Sequence, residues 1–222
     1  MSSIDILVVG GLETKFHDFS IMGSIFKDFL EEASFKVTLT QDLDFFLSNN
    51  IKKYKVIVCC TTGRELNAEQ EKGLLNAIIG SPWGETGEPK TFIGVHGASC
   101  SFQNSQEYLR MLGGKFLTHP PLGEEYEFKV IKPNHPIMQG ISDFSLKDEL
   151  YLMEIYPPIK TLIVCDYKGF SRPISWIKPY GLGYVFYTAL GHGEVQVKTD
   201  VFQKMIVNAI KWCLNRMLNN FT

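Results

Sequence analysis

Apolar positions in the first half of the chain alternate between two patterns. Residues 4–9 form a short continuous apolar run, as expected of a strand buried on both faces of a parallel sheet. Residues 19–35 instead place Ile21, Ile25, Phe26, Phe29, Leu30 and Ala33 at helical spacing, with Lys27, Asp28, Glu31 and Glu32 on another face. A second strand follows at 36–40, a short helix or loop at 42–50 and a β-branched, thiol-bearing strand at 55–60. Residues 67–79 read as a helix, with Asn67 as N-cap three residues before Gln70. The Gly- and Pro-rich stretch 80–89 is loop. A fourth strand at 91–95 runs into His96, and a helix at 105–112 is stopped by Gly113-Gly114.

The second half changes period. Strands are expected at 126–131, 150–155, 161–166, 174–178 and 184–189, several of them antiparallel, joined by Pro and Gly turns. An amphipathic helix at 200–217 closes the chain. No linker or internal repeat divides the sequence, so it reads as a single α/β domain over residues 1–222. The expected architecture is a three-layer sandwich with a mainly parallel central sheet and antiparallel additions in the C-terminal half. Ligands in such sheets bind outside the carboxyl ends of the strands, where strand order reverses.

Composition removes several functional classes. The 22 basic and 24 acidic residues give a net charge of −2, which offers no basic field for nucleic acid or anionic lipid. The apolar run near the start is too short for a membrane span and lacks a preceding basic region, so it reads as a strand rather than a signal peptide. Five cysteines without C-x-x-C spacing suggest buried reduced thiols in a cytoplasmic protein.

Candidate chemistry gathers at predicted strand ends. His96 stands between Gly94 and Gly97 on a strand-to-helix turn, where α/β enzymes commonly lift a nucleophile above the sheet. His17 follows the first strand and His192 the last. Imidazoles titrate near neutrality, so converging ones can serve as acid, base or metal ligand. Asp148 and Glu149 supply carboxylates at an expected strand start, where alternation would send only one of them to the pocket. His119 and Arg64 are further binding candidates, whereas His135 reads as a turn residue beside Pro136. No dinucleotide or phosphate-loop motif is present, and no H-x-x-H or H-E-x-x-H spacing marks a metal. Cys100 lacks a visible cause for a lowered pKa and reads as a packing thiol.

At these residues the chain resembles the ThuA-like (trehalose-utilisation) family of the class I glutamine amidotransferase-like superfamily. The matching segments are Phe-Ile-Gly-Val-His-Gly-Ala (92–98), Met-Leu-Gly-Gly-Lys-Phe-Leu-Thr-His-Pro (111–120), His-Pro-Ile-Met-Gln-Gly-Ile (135–141) and Asp-Glu-Leu-Tyr (148–151). The most specific is Tyr-Gly-Leu-Gly-Tyr-Val-Phe-Tyr-Thr-Ala-Leu-Gly-His (180–192), and a Phe-His-Asp near the start brings in His17 and Asp18. The resemblance implies a flavodoxin-like core and a link to sugar catabolism. An amidotransferase of that superfamily would carry Cys at the place of His96 and a His-x-Glu near the C-terminus. His192-Gly193-Glu194 echoes the second element, but the missing Cys argues against glutaminase chemistry. The family's usual Asp after Gly-His is here Gly193, which leaves the carboxylate partner of His192 open.

The leading expectation is therefore an enzyme that acts on a sugar or keto-sugar by proton transfer. His96 and His192 would exchange protons while Glu149 orients an imidazole or binds a hydroxyl. His17, Asp18, Arg64, His119 and Tyr151 would contact substrate, and Trp176 and Tyr187 are further aromatic candidates. The alternatives are a non-catalytic sugar-binding or regulatory protein, and a metal-assisted hydrolase with His17, His96, Glu149 or His192 as ligands. No organic cofactor is expected, the partner is a small carbohydrate, and a homodimer is plausible on this reading.

Overall fold

A computed structural model describes residues 4–11, 18–80 and 88–219 of the chain. Its first half alternates strand and helix. β1 (Asp5–Gly10), α1 (Phe19–Glu32), β2 (Lys36–Thr40), α2 (Ser48–Ile51), β3 (Val56–Cys60), α3 (Ala68–Ile79), β4 (Thr91–Val95) and α4 (Gln106–Leu112) follow one another. The second half is mostly strand: β5 (Gly114–Thr118), β6 (Glu125–Val130), β7 (Phe144–Lys147), β8 (Leu152–Ile155), β9 (Lys160–Tyr167), β10 (Phe170–Tyr180) and β11 (Gly183–Thr188). The short helix α5 (Glu194–Val197) and the long α6 (Asp200–Asn219) close the chain.

Nine strands form one sheet in the order β2-β1-β3-β4-β11-β10-β9-β6-β7, and β5 pairs with β8 in a separate two-stranded ribbon. From β2 to β11 the neighbours are parallel; from β11 to β7 they are antiparallel. The burial patterns explain the division. β3 and β4 are almost continuously buried, as central parallel strands must be, whereas β6 alternates exposed and buried residues and keeps one face toward solvent. Burial of Val, Ile, Leu and Phe side chains contributes about 1.5–3 kcal/mol apiece, and β1, β3 and β4 supply the centre of that core.

Local chemistry sets the helix ends. Asn67 and Gln70 form a reciprocal capping box at the start of α3. Ser105 caps α4, and Gly113 ends it with φ +92°. Two strands, β5 and β7, were not expected from the pattern; both are short and neither shows a long alternation. The 42–50 region resolves into a 3-10 turn at Leu43–Phe46 and the single-turn helix α2. On α1, Ile21 is 45% exposed, and the buried stripe runs instead through Phe19, Met22, Phe26, Phe29 and Leu30.

Strand order reverses at β1, which has β2 on one side and β3 on the other. The C-terminal ends of β1, β3, β4 and β11 share one edge, since Val9 pairs with Cys59, Cys59 with Gly94 and Thr188 with Val95. The segments leaving that edge build the site.

Candidate functional site

β4 delivers His96 into a 3-10 turn, His96–Ser99, with φ +42°, a conformation that non-glycine residues rarely adopt. Three hydroxyl contacts hold the turn. Tyr187 donates to the His96 carbonyl at 3.0 Å, Ser99 Oγ donates to the same carbonyl at 3.2 Å, and the two hydroxyls lie 2.8 Å apart. The flanking glycines serve close packing. A Cβ on Gly97 would lie 2.7 Å from the Thr61 carbonyl and collide with Thr62 Oγ1; one on Gly94 would lie 2.6 Å from Leu112. The left-handed φ therefore falls on the histidine, and its neighbours give it room.

The His96 ring is nearly buried, at 3% side-chain exposure. Its Nδ1 lies 2.7 Å from the Ala189 carbonyl, which can only accept, so Nδ1 carries a proton and Nε2 faces inward. Nε2 lies 3.0 Å from Glu149 Oε2. His192 Nδ1 approaches that same oxygen at 2.7 Å and His96 Nε2 at 3.2 Å, with the two rings edge-to-face. The other carboxylate oxygen, Oε1, receives His119 Nε2 at 3.1 Å. One carboxylate with 8% side-chain exposure thus gathers three imidazoles from three distant segments.

The electrostatics follow from that gathering. Burial alone would push the Glu149 carboxyl up, but the hydrogen bonds and charge of His192 and His96 outweigh it and hold it well below the usual carboxylate range. The same hydrogen bond to Glu149 raises His192 above 6.5, against the opposing effect of burial.

Asp148 works on the backbone. Its carboxylate accepts the N–H groups of Gly191 at 2.8 Å, His192 at 3.2 Å and Glu149 at 2.8 Å. Burial raises its carboxyl, while the charge of His96 and these three N–H groups oppose the rise. Sequence alternation suggested that only one of Asp148 and Glu149 would face the pocket; Glu149 turns to the imidazoles and Asp148 to the backbone amides. Residues 148–151 are not yet strand, because β8 begins at Leu152, so the period of two does not apply to them.

Aromatic rings wall the centre. Tyr151, 3% exposed, packs on the His96 ring with centroids 4.0 Å apart, and Phe116 packs on Tyr151 at 4.3 Å and on His119 at 6.2 Å. Cys100 donates to the Tyr151 hydroxyl at 3.3 Å, and burial pushes its thiol up to about 11, so it is a packing thiol as the sequence suggested. Trp176 and Tyr187 are fully buried, the former donating to the Leu112 carbonyl, and present no face to a ligand. Phe19, Met22, Cys60, Thr62, Gly97 and Gly191, among others, line a narrow cleft against His96.

The remaining expected residues divide. Asp18 caps α1, accepting the Ser20 backbone N–H at 2.8 Å and its hydroxyl at 2.6 Å. Arg64 donates to the Gln41 carbonyl and, at 3.4 Å, to the Gly10 carbonyl, which ties strand ends together. His17 lies outside the described residues. His135 caps a 3-10 turn beside Trp212, far along the fold from the site. Glu194, in the place of the His-x-Glu acid, pairs with Lys198 at 3.3 Å, and Glu149 takes the role left open by Gly193. Asp148's grip on the 191–192 backbone carried no separate signal in the sequence. Phe116 lay in a strand that the pattern missed.

The donor set His96 Nε2, Glu149 and His192 Nδ1 suits either proton exchange or a borderline metal ion; its ligand atoms all lie within 4.8 Å of one another. Among the described residues, no helix is long and apolar enough to cross a membrane.

Comparison with known proteins gives the family and the fold. The family described as Trehalose utilisation (ThuA) matches residues 5–213. A ThuA-like protein from Bacteroides uniformis ATCC 8492 has a similar structure, with TM-score 0.77 and 17% identity over 97% of this chain and 95% of that one. A second, from Parabacteroides merdae ATCC 43184, gives 0.76 and 18% over 96% and 90%. The β-galactosidase from Bacillus circulans sp. alkalophilus shares the fold at TM-score 0.64 and 12% identity, over 92% of this chain but 30% of that enzyme. No curated protein matches the sequence.

Proposed function

Since the chain belongs to the ThuA trehalose-utilisation family, whose name carries a carbohydrate-related role, we propose that it is an enzyme acting on a sugar or keto-sugar by proton transfer. His96, Glu149 and His192 form its reacting centre. The observation that carries this reading is the single buried oxygen, Glu149 Oε2, held by two imidazoles at 3.0 and 2.7 Å. In this reading the fold is the three-layer, flavodoxin-like sandwich of class I amidotransferases, with an imidazole where thiolate attack would require sulfur.

The division of labour follows from the ring geometry. Glu149 fixes His192 through Nδ1, so Nε2, on the far side of the ring, is the nitrogen that takes a proton from a sugar hydroxyl or from carbon beside a keto group. The imidazolium so formed is stabilised by the Glu149 carboxylate, and the proton is returned to the product. His96 completes the relay from the buried side, its tautomer set by the Ala189 carbonyl. His119, with 37% of its side chain exposed, stands at the open side of the centre and contacts substrate. Tyr151 shapes the wall behind His96, and His17 remains a proposed substrate contact. Asp18 and Arg64 act through the backbone they hold. A cytoplasmic setting accords with five free thiols.

The test is turnover of hexoses, disaccharides including trehalose, and their keto derivatives by wild type, His96→Ala and Glu149→Gln. Loss of about 10²-fold or more in each variant is expected for removal of an acid–base group. Equal turnover by wild type and His96→Ala would remove His96 from the mechanism. Ligand-induced thermal stabilisation without product would mark a sugar-binding protein instead.

A further inference from the structure

We infer that His96 Nε2, Glu149 Oε2 and His192 Nδ1 form a binding site for a borderline divalent cation of the Zn²⁺ type. This goes beyond the carbohydrate reading and stands on ligand geometry alone. Two imidazoles and one carboxylate are the donor set that such cations prefer, and three protein ligands is the number found in catalytic rather than closed structural zinc sites.

The distances fit with little rearrangement. The three atoms are separated by 3.0, 2.7 and 3.2 Å. Around a tetrahedral ion with bonds of about 2.0–2.1 Å the ligand atoms sit about 3.3–3.4 Å apart. Spreading the triangle by a few tenths of an ångström is enough to admit the ion.

The supporting contacts also have the form that metal ligands require. His96 donates Nδ1–H to the Ala189 carbonyl at 2.7 Å, which leaves Nε2 as the nitrogen that meets a cation once its own proton is released. Glu149 is braced on its other oxygen by His119 at 3.1 Å, and the His192 backbone is held by Asp148. Asp148 itself stays committed to backbone N–H groups. A cation bound here displaces to solvent the protons through which His192 Nδ1 and His96 Nε2 contact Glu149, so relay chemistry belongs to the cation-free protein.

The experiment uses untagged full-length protein, stripped with chelator and desalted, then titrated with Zn²⁺ against a chromophoric competitor, with no sugar present. One equivalent per chain is expected. Glu149→Gln and His96→Asn should each weaken binding by about 100-fold or more, and His119→Gln by about 10-fold, the effect of an outer-shell partner. Glu154→Gln, which changes an exposed acid hydrogen-bonded to Tyr156, should leave affinity unchanged. Wild type loaded with Co²⁺ should show the intense visible absorption of a four-coordinate site, a readout that does not depend on any variant folding. Sub-stoichiometric Zn²⁺, an octahedral-type Co²⁺ spectrum or equal affinity in folded Glu149→Gln would each overturn the site. Because binding is measured without substrate, inactivity on sugars would leave this result standing, and turnover in excess chelator would leave the carbohydrate reading standing.

Discussion

Replacing Asp148 separates the cost of burying its charge from the value of the amides it holds. The residue is 5% exposed, and its two oxygens accept three backbone N–H groups. Asn has nearly the same shape but one acceptor oxygen. Placed where Oδ1 lies, that oxygen keeps the Glu149 and His192 amides, and the NH₂ group then faces the Gly191 N–H. A buried donor left unpaired costs about 1–3 kcal/mol. Part of this is offset, because burial raises the Asp148 carboxyl and a neutral amide escapes that penalty. The net expectation is destabilisation of about 1–2 kcal/mol for Asp148→Asn. Asp148→Ala strands all three amides and should cost about 3–5 kcal/mol. For a chain of 222 residues, each kcal/mol lowers Tm by roughly 2–4 °C. Thermal unfolding followed by circular dichroism gives the ordering, and turnover should fall by about 10- to 100-fold in Asp148→Asn as the His192 ring drifts from Glu149. If Asp148→Asn proves as stable as wild type or more so, the burial penalty exceeds the hydrogen bonds and the clamp argument fails.

Two pH predictions follow from the cited shifts. His192 is raised above 6.5 by Glu149, so its stabilising contribution is complete below 6.5 and is lost as pH rises through the folded-state value. Proton NMR of the His192 Cε1–H should give a midpoint above 6.5 that falls in Glu149→Gln, and a wild-type midpoint at or below 6.5 would contradict the pairing. His135 behaves oppositely: burial, then the charges of Lys160 and Arg216, lower it from 6.5 to about 4. It therefore favours the fold above 6.5 and ceases to do so as pH falls toward 4, a difference of roughly 3 kcal/mol. Denaturant unfolding at pH 7 and pH 4 should show that loss in wild type and little of it in His135→Asn, which can still cap the turn; identical pH dependence in both proteins would refute it.

How much was legible in the sequence depended on the range of the interaction that decides each feature. Continuous apolar runs revealed β1, β3 and β4, because strands buried on both faces need no partner to be recognised. The capping box at Asn67 and the stop at Gly113 were equally local. β5 and β7 were missed, since four or five residues paired with distant partners carry little period of their own. His96, His192, Glu149 and His119 were each visible as titratable groups near strand ends, and the structure brings them onto one carboxylate. Arg64 and Asp18 looked similar, and the structure shows Arg64 on the Gly10 and Gln41 carbonyls and Asp18 capping α1, contacts that residue type alone does not disclose. The pairing of Glu149 with His192 was hidden because it spans the sheet from a loop that alternation misread as strand.

The carboxylate that joins His96, His119 and His192 belongs to a segment between the antiparallel strand β7 and the ribbon strand β8, while two of its partners emerge from parallel strands. The centre consequently has no existence in any fragment of the chain. A fragment that kept only the parallel strands, or only the C-terminal strands, would hold part of this donor set and not the rest.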